Sequence, residues 1–189
     1  RSYPEGSLAG HVLGFIHSVD PEELESAEGS KYSINSLIGK SGLEKQYEKE
    51  LRGQDGARQV EVNAGGRPVR ELLTLEPHPG NNLYLSIDSK LQRVLEQSIE
   101  QNLQRLQQQN PKAKVASAVI LDVKTGEVLA MASSPALNPD DWKGNFKPEL
   151  SSYYIPQGSY DPMNPGALSN RAIQSTYQPG STFKSVTGM

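Results

Sequence analysis

Residues Asp88 to Ala132 read DSKLQRVLEQSIEQNLQRLQQQNPKAKVASAVILDVKTGEVLAMA, and the periodicity of this stretch decides the fold. Asp88 is a candidate N-cap, and Leu91, Val94, Leu95, Ile99, Leu103 and Leu106 recur at three- and four-residue spacing among glutamines and charges. That spacing predicts a long helix ending at Asn110-Pro111, with the stripe as its core face; the run is too short for a sustained heptad seam. Val115 to Leu121 then predicts a buried strand, Asp122 to Gly126 a turn, and Glu127 to Ala132 an antiparallel neighbour. A helix followed by a hairpin implies an α+β layer.

Upstream, the composition breaks at Pro77-His78-Pro79-Gly80-Asn81-Asn82, which places a candidate domain boundary between residues 1–79 and 80–189. The first part reads as β-rich. Gln59 to Asn63 alternates with period two, Gly65-Gly66 turns, and Arg67 to Leu72 resumes, which predicts a hairpin whose second strand Pro68 confines to an edge. Leu43, Tyr47 and Leu51 share one face of a predicted amphipathic surface helix closed by Gly53, and Asp20-Pro21-Glu22-Glu23-Leu24 has the cap, proline and acids of a short helix. Residues Arg1 to Phe15 are too glycine-rich for a good helix and are expected to enter a sheet extended.

The bulk composition is that of a globular protein, with 35% hydrophobic and 22% charged residues among 189. A net charge of -3 leaves no excess of cations to neutralise phosphates, so nucleic acid is not an expected partner. The absence of cysteine excludes disulfides and thiolate chemistry. No apolar run approaches the roughly 18 residues a membrane-spanning helix needs. The chain opens on Arg1 with neither an initiator Met nor a signal sequence, and Met189 follows what reads as the first turns of a helix, so it is expected to be an internal piece of a longer protein.

Downstream, Ser134 to Asn170 is irregular and rich in Pro, Gly, Asn, Ser and Tyr, and it leads to Tyr177-Gln178-Pro179-Gly180-Ser181-Thr182-Phe183-Lys184. Here an S-x-x-K follows a Pro-Gly break and opens a helix-like run. Positions three apart on a helix lie about 5 to 6 Å apart at Cβ, so Lys184 can reach the Ser181 hydroxyl. A serine needs a base to take its proton, and a lysine serves only if burial or neighbouring positive charge lowers its pKa. The helix start would offer N–H groups to an oxyanion. About one S-x-x-K arises by chance in a chain of this size, so Ser181 read alone also fits a helix cap.

Several further segments, in order along nearly the whole chain, are similar to class B penicillin-binding proteins of the elongation type. They are Arg1-Ser2-Tyr3-Pro4 with Ala9-Gly10-His11-Val12-Leu13-Gly14; Ile38-Gly39-Lys40-Ser41-Gly42-Leu43-Glu44; Gly65-Gly66-Arg67; Leu85-Ser86-Ile87-Asp88 with Leu91-Gln92; Asp122 to Met131; and Asn170-Arg171-Ala172 with the Ser181 block. Val60-Glu61-Val62-Asn63-Ala64 with Gly66-Arg67 favours the elongation branch over the division branch. The resemblance implies a non-catalytic pedestal over residues 1–79 and the first part of a transpeptidase domain over 80–189, with a fold shared with serine β-lactamases. It implies that Ser181 attacks the D-Ala-D-Ala carbonyl of a peptidoglycan stem peptide, that Lys184 accepts its proton, and that the acyl group passes to an amine of a neighbouring stem. β-Lactams would acylate the same serine, and half of the oxyanion hole would be the Ser181 N–H.

The same resemblance implies a location on the outer side of a bacterial membrane, reached through an anchor absent from this chain, and a SEDS-type glycosyltransferase as partner of the pedestal. No cofactor is implied, and His11, His17 and His78 lack metal-ligand spacing. Two look-alike motifs are refused: Lys124-Thr125-Gly126 precedes the serine and falls in a hairpin turn, and Ser33-Ile34-Asn35 lies in the pedestal. With the family's S-x-N and K-T-G both missing, the chain alone is expected to be inert. The rivals are a purely non-catalytic scaffold module and a β-lactam sensor or β-lactamase. Trp142, Tyr153, Tyr154 and Tyr160 could line a groove near the serine or pack beneath the long loop.

Overall fold

The computed structural model describes residues 2–25, 32–158, 161 and 166–188. Among the described residues, helices and three separate two-stranded antiparallel sheets alternate along the chain, in two compact units. One unit gathers the stretch up to Tyr3, Leu13–Leu85 and Pro139–Phe146; the other gathers Pro4–Val12, Ser86–Asn138 and the chain from Lys147 onward.

The opening differs from the extended segment its glycines suggested. Turns after Pro4 lead into a single helical turn, α1 (Gly10–Leu13), bracketed by Ala9 at φ 53 and Gly14 at φ 79. Distant groups hold it, since the Ala9 N–H donates to Glu96 Oε1 at 2.8 Å and His11 bonds to the Ala167 carbonyl, and such contacts override local propensity.

In the first unit β1 (Ile16–Ser18) pairs with β2 (Leu37–Gly39), with α2 (Pro21–Glu25) in the connection. A reciprocal capping box starts α2: the Glu23 N–H donates to Asp20 Oδ1 and the Asp20 N–H to Glu23 Oε2, each at 2.9 Å. The helix expected over Leu43 to Leu51 is two, α3 (Gly42–Gln46) and α4 (Glu48–Arg52), broken at Tyr47 with φ -112 and ψ 27. Its buried residue is Glu44, which accepts from the Tyr3 hydroxyl, while Glu48 turns back to accept from the Gly39 N–H at 2.8 Å. Specific polar contacts thus replace the expected apolar face. β3 (Ala57–Val62) and β4 (Pro68–Leu75) form the expected hairpin around Asn63, with Pro68 as the first residue of its strand, where a missing N–H is tolerated. The core is Tyr3, Phe15, Ile16, Val19 and Ile38. Trp142 belongs to this unit, stacked on Phe15 at 4.0 Å and on Phe146 at 4.5 Å between ring centroids.

In the second unit α5 (Ser89–Gln109) packs on the hairpin of β5 (Ala116–Leu121) and β6 (Val128–Ser134). Asp88 caps α5 as expected, accepting from the Lys90 and Leu91 N–H groups. The predicted stripe is inward in part: Leu103 is buried and Leu91, Leu95 and Ile99 are half-buried, whereas Val94 and Leu106 are exposed and the polar Gln92 is buried instead. The cause is hydrogen bonding, because the Gln92 amide donates to the Met131 carbonyl and accepts from the Met131 N–H, both at 2.8 Å. A side chain that pairs both groups of one strand residue is drawn inward despite its polarity. Strand β5 is less buried than its composition suggested, with Val119 and Leu121 exposed, and β6 carries the buried Ala130 and Ala132. Beyond β6 the chain passes through the Pro139–Trp142 3-10 turn, which belongs to the first unit, and the second unit resumes with a 3-10 turn at Pro148–Leu150, then α6 (Ser151–Tyr154), α7 (Arg171–Gln174) and α8 (Lys184–Thr187). No described helix is long and apolar enough to cross a membrane.

Candidate active site

Pro179, at φ -69, and Gly180, at φ 55, shape the entry to the site. A Cβ at Gly180 would meet nothing within 4 Å, so its left-handed backbone rather than space calls for glycine there. The chain then makes a 3-10 turn, Gly180–Phe183, that runs directly into α8. Sequence reasoning expected a plain helix start; the tighter turn is a common way to begin one. The Lys184 N–H donates to the Ser181 carbonyl, closing the turn. Residues i and i+3 eclipse in a 3-10 turn, so Ser181 and Lys184 share an edge. Both are exposed, and among the described residues neither side chain bonds to the other.

The segment feeding this turn is tightly built. Gly166, at φ 78, passes so close to Tyr154 that a Cβ there would lie 2.1 Å from the Tyr154 carbonyl oxygen. The Ala167 N–H donates to the Tyr153 carbonyl at 2.9 Å, and Ala167 and Tyr154 are both fully buried. Asn170 caps α7, accepting from the Ala172 N–H. Arg171 is only 1% exposed; its guanidinium donates to the Gly166 carbonyl at 2.7 Å and to the Ser169 carbonyl at 3.3 Å, and its N–H donates to Ser133 Oγ on β6 at 3.0 Å. A buried cation that folds its own loop around itself left no periodic trace in the sequence. The signal available was an arginine inside the Asn170-Arg171-Ala172 match.

His11 Nε2 lies 2.7 Å from the Ala167 carbonyl, a contact in which a ring N–H donates. Burial holds the His11 pKa below its ordinary value, the Arg171 guanidinium acts in the same direction, and the Ala167 carbonyl opposes both. His17 Nδ1 contacts the Trp142 carbonyl at 3.1 Å, and His78 pairs its backbone with Gln54. Among the described residues no cluster of His, Asp or Glu is arranged to hold a metal.

Lys124-Thr125-Gly126 forms the β5–β6 turn, where the Asp122 carboxylate accepts from the Lys124 and Thr125 N–H groups and Gly126 takes φ 77. Ser33-Ile34-Asn35 is a turn leading into β2. Tyr154 is buried in the second unit, and the Tyr153 hydroxyl donates to the Ala136 carbonyl at 2.7 Å. Trp142 packs among rings of the first unit, and Tyr160 lies outside the described residues.

Residues 1–85 match the penicillin-binding protein dimerisation domain, and residues 116–189 match the penicillin binding protein transpeptidase domain. The chain is 35% identical over 189 residues to peptidoglycan D,D-transpeptidase MrdA of Acinetobacter baumannii, covering all of this chain and 25% of that protein. It is 33% identical over 193 residues to peptidoglycan D,D-transpeptidase FtsI of Escherichia coli, again with 25% of the relative covered. A solved structure described as "Structural coordination of polymerization and crosslinking by a peptidoglycan synthase complex" superposes at TM-score 0.75 and 34% identity, over 97% of this chain and 31% of that one. The chain thus spans about a quarter of the length of these curated relatives.

Proposed function

This chain belongs to the penicillin-binding proteins, and from that premise we propose that it forms the pedestal and the opening part of the catalytic domain of an elongation-type peptidoglycan D,D-transpeptidase. The pedestal would occupy residues 1–79 and the catalytic part 80–189. The observation that carries the reading is that Ser181 and Lys184 stand three residues apart across one 3-10 turn, inside the stretch that matches a transpeptidase domain.

In this reading the Ser181 Oγ attacks the penultimate D-Ala carbonyl of a stem peptide while Lys184 takes the hydroxyl proton. The tetrahedral intermediate collapses, the terminal D-Ala leaves with a proton returned through Lys184, and a serine ester remains. An amine of a second stem then displaces the serine, forming the cross-link. A β-lactam ring opens on the same oxygen. Lys184 must be neutral to act as a base, which takes a desolvating or positively charged surrounding. The side chain is exposed in this chain, so the surroundings must come from the rest of a full-length catalytic domain.

The chain alone therefore lacks most of the rate acceleration of a complete site. The branch assignment rests on residues 60–67, with MrdA and FtsI at nearly equal identity. The setting proposed is the outer side of a bacterial membrane, with a SEDS-type glycosyltransferase as partner of the pedestal. The test is labelling with a fluorescent penicillin: the full-length parent labels saturably, its Ser181→Ala form does not, and the 189-residue chain does not. Labelling that survives Ser181→Ala would overturn the assignment.

A further inference from the structure

We infer that residues 4–12 act as a clasp that positions the loop feeding Ser181, with His11 as the positioning residue that holds this loop at Ala167. The inference rests on the reading of Ser181 as the nucleophile, but its evidence is separate. Among the described residues none after Arg171 is buried, and Arg171 precedes Ser181 by ten positions. α7 still packs on β5 and β6, so what locates the serine turn within this unit lies in α7 and in the Gly166 to Arg171 loop that leads into it.

That loop is held along its backbone, where the Ala167 and Leu168 N–H groups donate to the Tyr153 and Tyr154 carbonyls, and by three further ties. Arg171 ties its ends together through the Gly166 and Ser169 carbonyls, and the Arg171 N–H ties it to Ser133 on β6. The third tie is His11, whose ring donates to the carbonyl of the fully buried Ala167.

His11 can hold the loop only if its own segment is fixed, and the segment is fixed to α5. The Ala9 N–H donates to Glu96 Oε1 at 2.8 Å, the same oxygen accepts from the Gln92 amide at 2.7 Å, and Gln92 pairs with Met131 on β6. Glu5 adds an ion pair to Arg93 at 2.7 Å. One polar chain therefore runs from β6 through Gln92 and Glu96 to Ala9, and two residues further on His11 reaches the loop. Hydrogen bonds in such a half-buried chain depend on one another's geometry, so loss of one member lets the loop shift.

A reacting group displaced by about 1 Å can cost on the order of a hundredfold in rate, so the clasp should act on acylation more than on binding. The experiment uses the full-length parent and resolves its reaction with a fluorescent penicillin into non-covalent affinity and acylation rate. His11→Phe keeps the ring but removes the donor, and it should lower the acylation rate by about tenfold with the affinity nearly unchanged. His11→Gln can place an N–H near the Nε2 position and should recover most of that rate. Glu96→Ala frees Ala9 without touching His11 and should show a smaller loss in the same direction, which keeps the inference testable if His11→Phe fails to fold.

Amide exchange over residues 166–174 should quicken in both His11→Phe, which loses the donor, and Glu96→Ala, which loses the acceptor that fixes Ala9, a readout independent of any chemistry at Ser181. Wild-type acylation and unchanged exchange in His11→Phe would overturn the clasp, as would equal losses in His11→Phe and His11→Gln. A parent that never labels at Ser181 would instead sink the transpeptidase reading, leaving exchange to judge the clasp.

Discussion

Two hairpins of nearly equal length meet opposite fates in this chain. β5–β6 lies under α5, with Ala130, Ala132 and Ser133 buried, whereas every residue of β3 and β4 is exposed. Both hairpins carry apolar residues: Val60, Val62, Leu72, Leu73 and Leu75 are no less hydrophobic than Val119 or Met131. The difference is a helix, and above all one side chain of it, since Gln92 pairs the backbone of Met131 in β6 and no such group reaches β3 or β4 among the described residues. Strand formation is thus a local property here, while stability comes from what covers the strands, as expected when an isolated two-stranded hairpin is marginal in water.

The sharpest way to break this comparison is Gln92→Leu. It leaves the Met131 N–H and carbonyl without their partner beside α5, at about 1–3 kcal/mol for each buried unsatisfied group. The expected loss is therefore about 3 kcal/mol or more in denaturant unfolding, with faster amide exchange across β5–β6. A loss below about 1 kcal/mol would mean that water replaces the amide easily and that the helix holds the sheet by apolar contact alone.

A second test applies one substitution in both places. Leu103, 5% exposed on α5, should cost about 2–4 kcal/mol when changed to Ala, through lost transfer energy and the cavity left behind. Leu73, 52% exposed on β4, should cost within about 0.5 kcal/mol for the same change. Equal costs would show that β3–β4 is covered in solution and erase the contrast.

The sequence reveals the parts of this fold that depend on neighbours along the chain. The Asp88 cap, the Asp20-Glu23 capping box, the Asn63 and Asp122 turns and the pairing of strands across them all follow from residues within a few positions of one another. What it conceals are side chains that answer to distant backbone. Gln92 sits where an apolar stripe was expected to pass it by, Glu44 and Glu48 break a predicted helix face, and α1 forms against its glycines because Glu96 and Ala167 hold it. The same division runs through the site. Ser181 and Lys184 are a local pair that three-residue spacing announces, but the burial of Arg171 and its grip on Gly166 depend on a loop closed through carbonyls, and carbonyls have no letter in a sequence.

The smallest effect separates the two hairpins by their carboxylates. Asp122 has its pKa lowered by the turn N–H groups of Thr125 and then Lys124, and Glu71 on β4 has its pKa lowered by Arg58 and then Thr74. In both cases the folded value lies below the unfolded one, so the stabilisation is present above the unfolded pKa and is lost as pH falls through the folded pKa. The windows lie below ordinary values of 3.8 for Asp122 and 4.5 for Glu71. Backbone donors fixed by a turn are close and cannot be displaced by salt, but the Arg58–Glu71 pair is an exposed ion pair at 2.8 Å. Following both carboxyl resonances by NMR, raising salt from about 0.05 to 1 M should move the Glu71 titration back toward its ordinary value and leave that of Asp122 nearly in place. Parallel movement of both would mean that Asp122 responds to long-range charge rather than to its turn, and that the β5–β6 connection is held no more tightly than the open hairpin.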